Sequence, residues 1–180
     1  MGESDRTDPA RPSRLHHHAY VVRDQEATRR YYEDIIGLPL VATWCEREDF
    51  GHGMLTYCHT FFELQDGGCL AFFQYADPEP AEPVLSKRPF RPGHHVALLA
   101  TAEQQREVQR RAREAGIATQ LADHGYCTSL YIQDPDGLFI ELTVDSAAAA
   151  LDADARRERA AADLARWLAG DHSPNNHYRS

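Results

Sequence analysis

Four side chains in the C-terminal half of this 180-residue chain could do chemistry: His95, His124, Tyr131 and Glu141. The last follows the turn Asp134-Pro135-Asp136-Gly137. An imidazole and a carboxylate can ligate a divalent metal, while a second imidazole and a phenol can handle protons. Earlier in the chain, the run His16-His17-His18-Ala19 parallels His94-His95-Val96-Ala97. Two similar runs point to a duplicated scaffold for a metal site.

Alternate side chains share a face of a strand, so His17 groups with Ala19 and Val21, and His95 with Ala97 and Leu99. His16, His18 and His94 are expected to face away. If two equivalent strands pair about a pseudo-twofold axis, His17 and His95 approach from symmetric positions. Glu141 stands among Phe139, Ile140 and Leu142, where a carboxylate is costly to bury unless paired or metal-bound. Two neutral imidazoles and one carboxylate leave about three open positions on an octahedral metal, the set expected of a non-haem Fe(II) oxygenase.

The elements that must position these groups recur. Leu15–Arg23 is expected to be a strand, Asp24 an N-cap, and Ala27, Tyr31 and Ile35 mark a helix ended by Gly37. The second copy has a strand over His94–Ala100, a capping-box pair at Thr101 and Gln104, a helix marked by Val108, Ala112 and Ala115, and a stop at Gly116. Strands are then expected over Leu38–Cys45, Met54–Leu64 and Cys69–Tyr75, and over Ala118–Ala122, Cys127–Gln133 and Leu138–Val144. The fold class is therefore α+β, with paired βαβββ modules at 15–76 and 93–145. A disordered tail (1–14) precedes them and a Pro-rich linker (77–92) joins them. A C-terminal helix (146–170) with the apolar stripe Leu164, Trp167 and Leu168 is expected to pack on the domain or on a partner, and a polar tail (171–180) closes the chain.

The net charge of −9, without basic clustering, argues against a nucleic-acid surface. No apolar run is long enough for a membrane span and no signal-peptide core is evident, so a cytoplasmic location is expected. Cys45, Cys58, Cys69 and Cys127 form no CxxC pair and are expected to be small buried residues.

The strand openings HHHAYVVRD and HHVALLA, the segment YYEDIIGLPL and the closing DPDGLFIEL resemble the vicinal oxygen chelate superfamily over residues 15–145. That superfamily includes glyoxalase I, methylmalonyl-CoA epimerase, extradiol dioxygenases and bleomycin-resistance proteins. The resemblance implies metal ligands at His17, His95 and Glu141. The stretch ADHGYCTSLYIQDPDGLFIE is further similar to the type I extradiol dioxygenase signature through His124, Leu130, Tyr131, Asp134, Pro135, Gly137 and Glu141, with Ala122 departing from it.

The implied function is insertion of O2 into the ring of a small aromatic diol on Fe(2+), with Mn, Ni, Co or Zn as alternative metals. The resemblance makes His124 and Tyr131 catalytic. His59 is either a proton relay or a strand histidine without a chemical role. The alternatives are a glyoxalase- or epimerase-like isomerase or lyase, or a small-molecule-binding resistance protein. The isomerases carry a fourth ligand on the last strand of the first module. Here Cys69–Gln74 offers no carboxylate, and Gln74 would serve only if the register slipped. A homodimer is the expected assembly, and the substrate is expected to be read by loops Trp44–Gly53 and Asp77–Pro92.

Overall fold

Repeated alternation of apolar residues, interrupted each time by a capped helix, builds the same unit twice. The computed structural model describes residues 12–49, 51, 53–86 and 93–179. The expected N-terminal tail up to Arg11 and positions 87–92 of the Pro-rich stretch lie outside the described residues. In the first unit, β1 (His17–Val21) leads into α1 (Gln25–Arg29), which widens into a π-helical segment, Arg30–Ile36. Then come β2 (Leu40–Asp49), β3 (Met54–Glu63) and β4 (Cys69–Tyr75). A short α2 (Glu82–Ser86) precedes the second unit of β5 (His95–Leu99), α3 (Ala102–Glu114), β6 (Thr119–Asp123), β7 (Cys127–Gln133) and β8 (Phe139–Asp145). Two helices follow, α4 (Ala147–Leu151) and α5 (Ala153–Leu168).

Each unit forms a four-stranded sheet with one topology, β1-β4-β3-β2 and β5-β8-β7-β6. The first strand runs parallel to the last, and the other neighbours are antiparallel. This is the expected α+β pair of βαβββ modules.

Local chemistry sets the helix boundaries. The Asp24 carboxylate accepts from the Glu26 and Ala27 N–H groups and so caps α1. Thr101 and Gln104 make a reciprocal capping box at α3. The π-helical segment ends at Gly37, whose φ of 89° suits a residue without a Cβ. The wide last turn lets the Tyr32 carbonyl accept from both Gly37 and Leu38.

The repeat extends to a glutamine amide at the start of each helix. Gln25 Nε2 donates to the carbonyls of Phe72 (2.7 Å) and Cys58 (3.3 Å). Gln105 Nε2 donates to those of Leu142 (2.8 Å) and Thr128 (3.1 Å). By strand register Phe72 corresponds to Leu142 and Cys58 to Thr128, so each helix is pinned to the two central strands of its own sheet in the same way.

Phe62, Leu70 and Phe72 of the first sheet and Leu130, Ile132, Ile140 and Leu142 of the second share one core with Tyr31, Tyr32, Ile36, Val108 and Ala112. Each large side chain fully buried there contributes about 1.5–3 kcal/mol. The Asp134–Gly137 turn joins the modules. Tyr32 Oη donates to Asp134 Oδ2 (3.2 Å), and the Arg23 backbone N–H and guanidinium donate to Asp136 (3.1 and 2.9 Å). Asp134 Oδ1 meanwhile accepts from the N–H groups of Asp136 and Leu138 and holds the turn shut.

Several elements differ from expectation. β2 continues to Asp49 because every residue from Ala42 to that point pairs with β3, so much of the expected Trp44–Gly53 loop is sheet. The Pro-rich stretch contains α2. The C-terminal helix is two helices, the first capped by Ser146, and Leu164, Trp167 and Leu168 remain exposed on α5. Cys69 and Cys127 are buried as expected, but Cys45 is exposed and Cys58 half-buried, directly opposite it across the β2–β3 pair. No helix among the described residues is long and apolar enough to cross a membrane.

With one face of each sheet in the core, alternation sends the remaining side chains to the opposite faces. The first sheet thereby presents His17, His59, Phe61 and Phe73, and the second His95, Ser129, Tyr131 and Glu141.

Candidate metal centre

Glu141 lies at the middle of β8, in register with Ala97 on β5 and Tyr131 on β7. It is only 6% exposed, yet its Oε2 is 2.8 Å from Nε2 of His95. Burial pushes its carboxyl up, but hydrogen bonds from Ser129 and Tyr131 and the charge of His95 outweigh that and hold it below the usual carboxylate range. Burial and the Glu141 partner in turn push the Tyr131 phenol up, keeping it a hydrogen-bond donor. Tyr131 Oη and His124 Nε2 are 3.0 Å apart. His95, Glu141, Tyr131 and His124 therefore form one continuous polar chain.

His17 stands elsewhere. Its ring makes edge contacts with Phe61 (5.4 Å between centroids) and His59 (6.1 Å) on the first sheet. His59 is buried and stacks on Phe73 at 3.6 Å, and its Nε2 has no hydrogen-bond partner. Burial, and then the neighbouring His17, lower its pKa, so His59 is held as a neutral imidazole. His16, expected to face away, bends back before β1 so that its Nδ1 is 2.8 Å from Nδ1 of His17. No cluster of three or more His, Cys, Asp or Glu side chains able to hold a metal occurs among the described residues. The expected convergence of His17 with His95 and Glu141 thus does not occur within one chain: the helix-covered faces are buried together in the core, leaving the faces that carry His17 and His95 apart.

Register bears on the expected fourth ligand. His17 pairs with Cys69 as His95 pairs with Phe139, so the position equivalent to Glu141 is Ala71. Gln74 is on the opposite face, its Oε1 accepting from the Gln25 N–H at 2.8 Å. At the register positions of His95 and Glu141 the first module carries the His17 imidazole and no carboxylate.

Ser129, fully buried and bonded to Glu141, was not singled out from the sequence. Its place two residues before Tyr131 on one strand was the available signal.

Comparison with known proteins bears on the family and the fold. Residues 14–142 match the family model described as the Glyoxalase/Bleomycin resistance protein/Dioxygenase superfamily. The glutathione transferase FosA of Serratia marcescens is 26% identical over 137 residues, covering 76% of this chain and 84% of that protein. Among solved structures, a glyoxylase/bleomycin resistance protein/dioxygenase domain from Frankia sp. EAN1pec has a TM-score of 0.58 at 17% identity, covering 76% of this chain and 95% of that one. The fosfomycin resistance protein FosX of Listeria monocytogenes, as a mutant in complex with Mn(II) and 1S,2S-dihydroxypropylphosphonic acid, has a TM-score of 0.55 at 18% identity (78% and 99% covered). FosX of Mesorhizobium loti gives 0.52 at 21% identity (78% and 98% covered). With the family model spanning most of its length and the duplicated sheets matching in topology, the chain belongs to the glyoxalase/bleomycin resistance protein/dioxygenase superfamily.

Proposed function

We propose that the chain is a divalent-metal-dependent enzyme that inactivates a small molecule carrying oxygens on adjacent atoms, as a resistance enzyme does. The metal is held by His95 and Glu141 of one copy and His17 of a second. The observation that carries this reading is the His95–Glu141 pair: a buried carboxylate kept ionised, 2.8 Å from an imidazole that is itself partly open to solvent. Two such donors fit a borderline divalent metal, and the third has its register equivalent in His17 on an uncovered sheet face. Kinship with FosA and FosX supports a resistance role, and the FosX complex with Mn(II) and a phosphonic acid bearing two adjacent hydroxyls supports both the metal and the substrate class.

A bound metal would supply Lewis-acid polarisation of a substrate oxygen. The chain's own groups do the rest. Ser129 and Tyr131 fix the Glu141 carboxylate, so that it is presented as an anion without rearrangement. Tyr131 and His124 share a hydrogen bond through which a proton at the phenolic oxygen can pass to or from the imidazole. His59, neutral and with a free Nε2, offers a second proton acceptor among the aromatic rings of the first sheet.

One observation favours a second reading. The contact between His124 and Tyr131 joins the two residues that resemble the ring-cleaving dioxygenase signature. Two assays separate the readings. Mn(II)-loaded protein is incubated with fosfomycin, with and without glutathione, and the phosphonate followed by phosphorus NMR; Fe(II)-loaded protein is incubated with a catechol panel and oxygen uptake recorded. Loss of fosfomycin that requires metal is expected. Oxygen uptake without fosfomycin turnover overturns the resistance reading in favour of ring cleavage.

A further inference from the structure

The family match ends at residue 142, and the C-terminal tail lies beyond it. We propose that the tail, 171–179, is a positioning element of the candidate site, and that Asn176 fixes His124 against Tyr131 by holding the His124 backbone. The role given to His124 rests on the reading above; the clamp on its turn does not.

The tail returns across the sheet edge to meet the β6–β7 turn. Asn176 Nδ2 donates to the His124 carbonyl at 2.9 Å, while its Oδ1 accepts from the Tyr178 N–H at 3.2 Å. Those two bonds demand one orientation of the amide, since a flip would set oxygen against oxygen and nitrogen against N–H. Gly125 receives the tail backbone directly. A Cβ at Gly125 would lie 2.6 Å from the Tyr178 carbonyl carbon and oxygen and 2.7 Å from the Arg179 nitrogen, and its φ of 79° also disfavours a side chain.

The tail has its own anchor. Tyr178 Oη donates to Asp152 Oδ2 at 2.6 Å and is 3.3 Å from Arg156 Nη1, whose guanidinium lies 6.0 Å from the Tyr178 ring centroid. These contacts bind the tail to the start of α5 and leave a cavity of about 660 Å³ lined by Tyr126, Arg156, Arg159, Asn176 and Tyr178. The tail is thus held at its tip, where it meets the turn.

The turn already bonds to its own strands. The His124 N–H donates to the Cys127 carbonyl (2.9 Å) and the Gly125 N–H to Asp123 Oδ1 (2.7 Å). Asn176 adds the bond to the His124 carbonyl. With both ends of the residue held, the imidazole is left on its 3.0 Å bond to Tyr131, which donates to Glu141. A polar path therefore runs from a C-terminal amide, through the His124 backbone and ring, to the buried carboxylate. A rotamer fixed in this way loses less freedom when it engages a substrate.

The test uses the full chain and NMR, so it does not depend on knowing the substrate. Asn176→Asp is close to isosteric and keeps the acceptor for Tyr178 N–H but removes the donor to His124. It is expected to speed amide exchange at Gly125 about tenfold. It should also move the ring nitrogen-15 shifts of His124 at a fixed pH, with the thermal midpoint close to wild type. Gly125→Ala, which forces the tail away by sterics and also strains the turn at a positive φ, is expected to move both signals in the same direction. Leu168→Ala, on the exposed face of α5, controls for general loss of stability and should move neither. Unchanged His124 ring shifts in both Asn176→Asp and Gly125→Ala overturn the positioning role, even if exchange rises. A changed ring in a protein that turns over neither fosfomycin nor a catechol would leave the clamp standing and remove only the functional reading.

Discussion

Glu141 is the residue in which structure and chemistry meet most directly. A carboxylate this buried would ordinarily take a proton, but Ser129, Tyr131 and His95 each favour the anion, and together they prevail over desolvation. A carboxylate whose folded pKa is depressed stabilises the fold fully above its ordinary value of 4.5, and that contribution is lost as pH falls through the lower folded value. Metal-free wild type is therefore expected to lose stability below pH 4.5 more steeply than Glu141→Gln, read as urea midpoints in EDTA at a series of pH values. Parallel midpoints would mean that Glu141 is not held as an anion. At this scale much was legible: the His17, His95 and Glu141 types, their parity along the strands, and the repeat that relates two of them. The sequence could not reveal that His16 turns back onto His17, because that depends on chain direction before β1. Nor did it single out Ser129, since a serine on a strand carries no signal until its partner is known.

At the scale of elements the duplication extends to hydrogen bonds that no motif announced. Gln25 and Gln105 each lie on the helix of their module and donate to two carbonyls on adjacent central strands. Removing either amide leaves buried carbonyls short of a donor, a cost of about 1–3 kcal/mol. Gln25→Ala and Gln105→Ala are expected to lower unfolding free energy by similar amounts in that range. Because the modules share one core, the double variant should still unfold in a single transition. Two separate transitions would show that the modules are independent. Strand and helix order was legible because period-two and period-3.6 patterns alternate cleanly and the caps at Asp24 and Thr101 are strong local signals. The extension of β2 to Asp49 was not, since Glu46-Arg47-Glu48-Asp49 is too polar to suggest a strand and is ordered by its pairing with β3. The Asp134–Gly137 turn belongs to a site signature by resemblance, whereas in the fold its two carboxylates bind Tyr32 and Arg23 and so join the modules.

At the scale of the molecule, the sheets turn their helix-covered faces into one core and the faces that carry His17 and His95 outward. Sequence reasoning brought His17 to His95 through the pseudo-twofold within a chain. A single chain instead spends that symmetry on core packing, and an intermolecular twofold can bring the open faces together. Phe61, Phe73 and the exposed Trp44 of the first sheet would then lose contact with water against the second sheet of a partner, a further reason for the faces to associate. In such a homodimer each metal set draws His17 from one copy and His95 with Glu141 from the other. His17→Ala and Glu141→Gln homodimers are then each expected to bind Mn(II) weakly. When the two variants are unfolded together and refolded as a mixture, half of the dimers should be mixed, and each mixed dimer carries one intact set and one doubly defective set. About a quarter of wild-type tight Mn(II) capacity should return, measured by equilibrium dialysis against each variant refolded alone. A monomer by light scattering, or no recovery although mixed dimers are shown to form, would remove His17 from the metal site. It would leave His95 and Glu141 as a pair whose third ligand lies elsewhere.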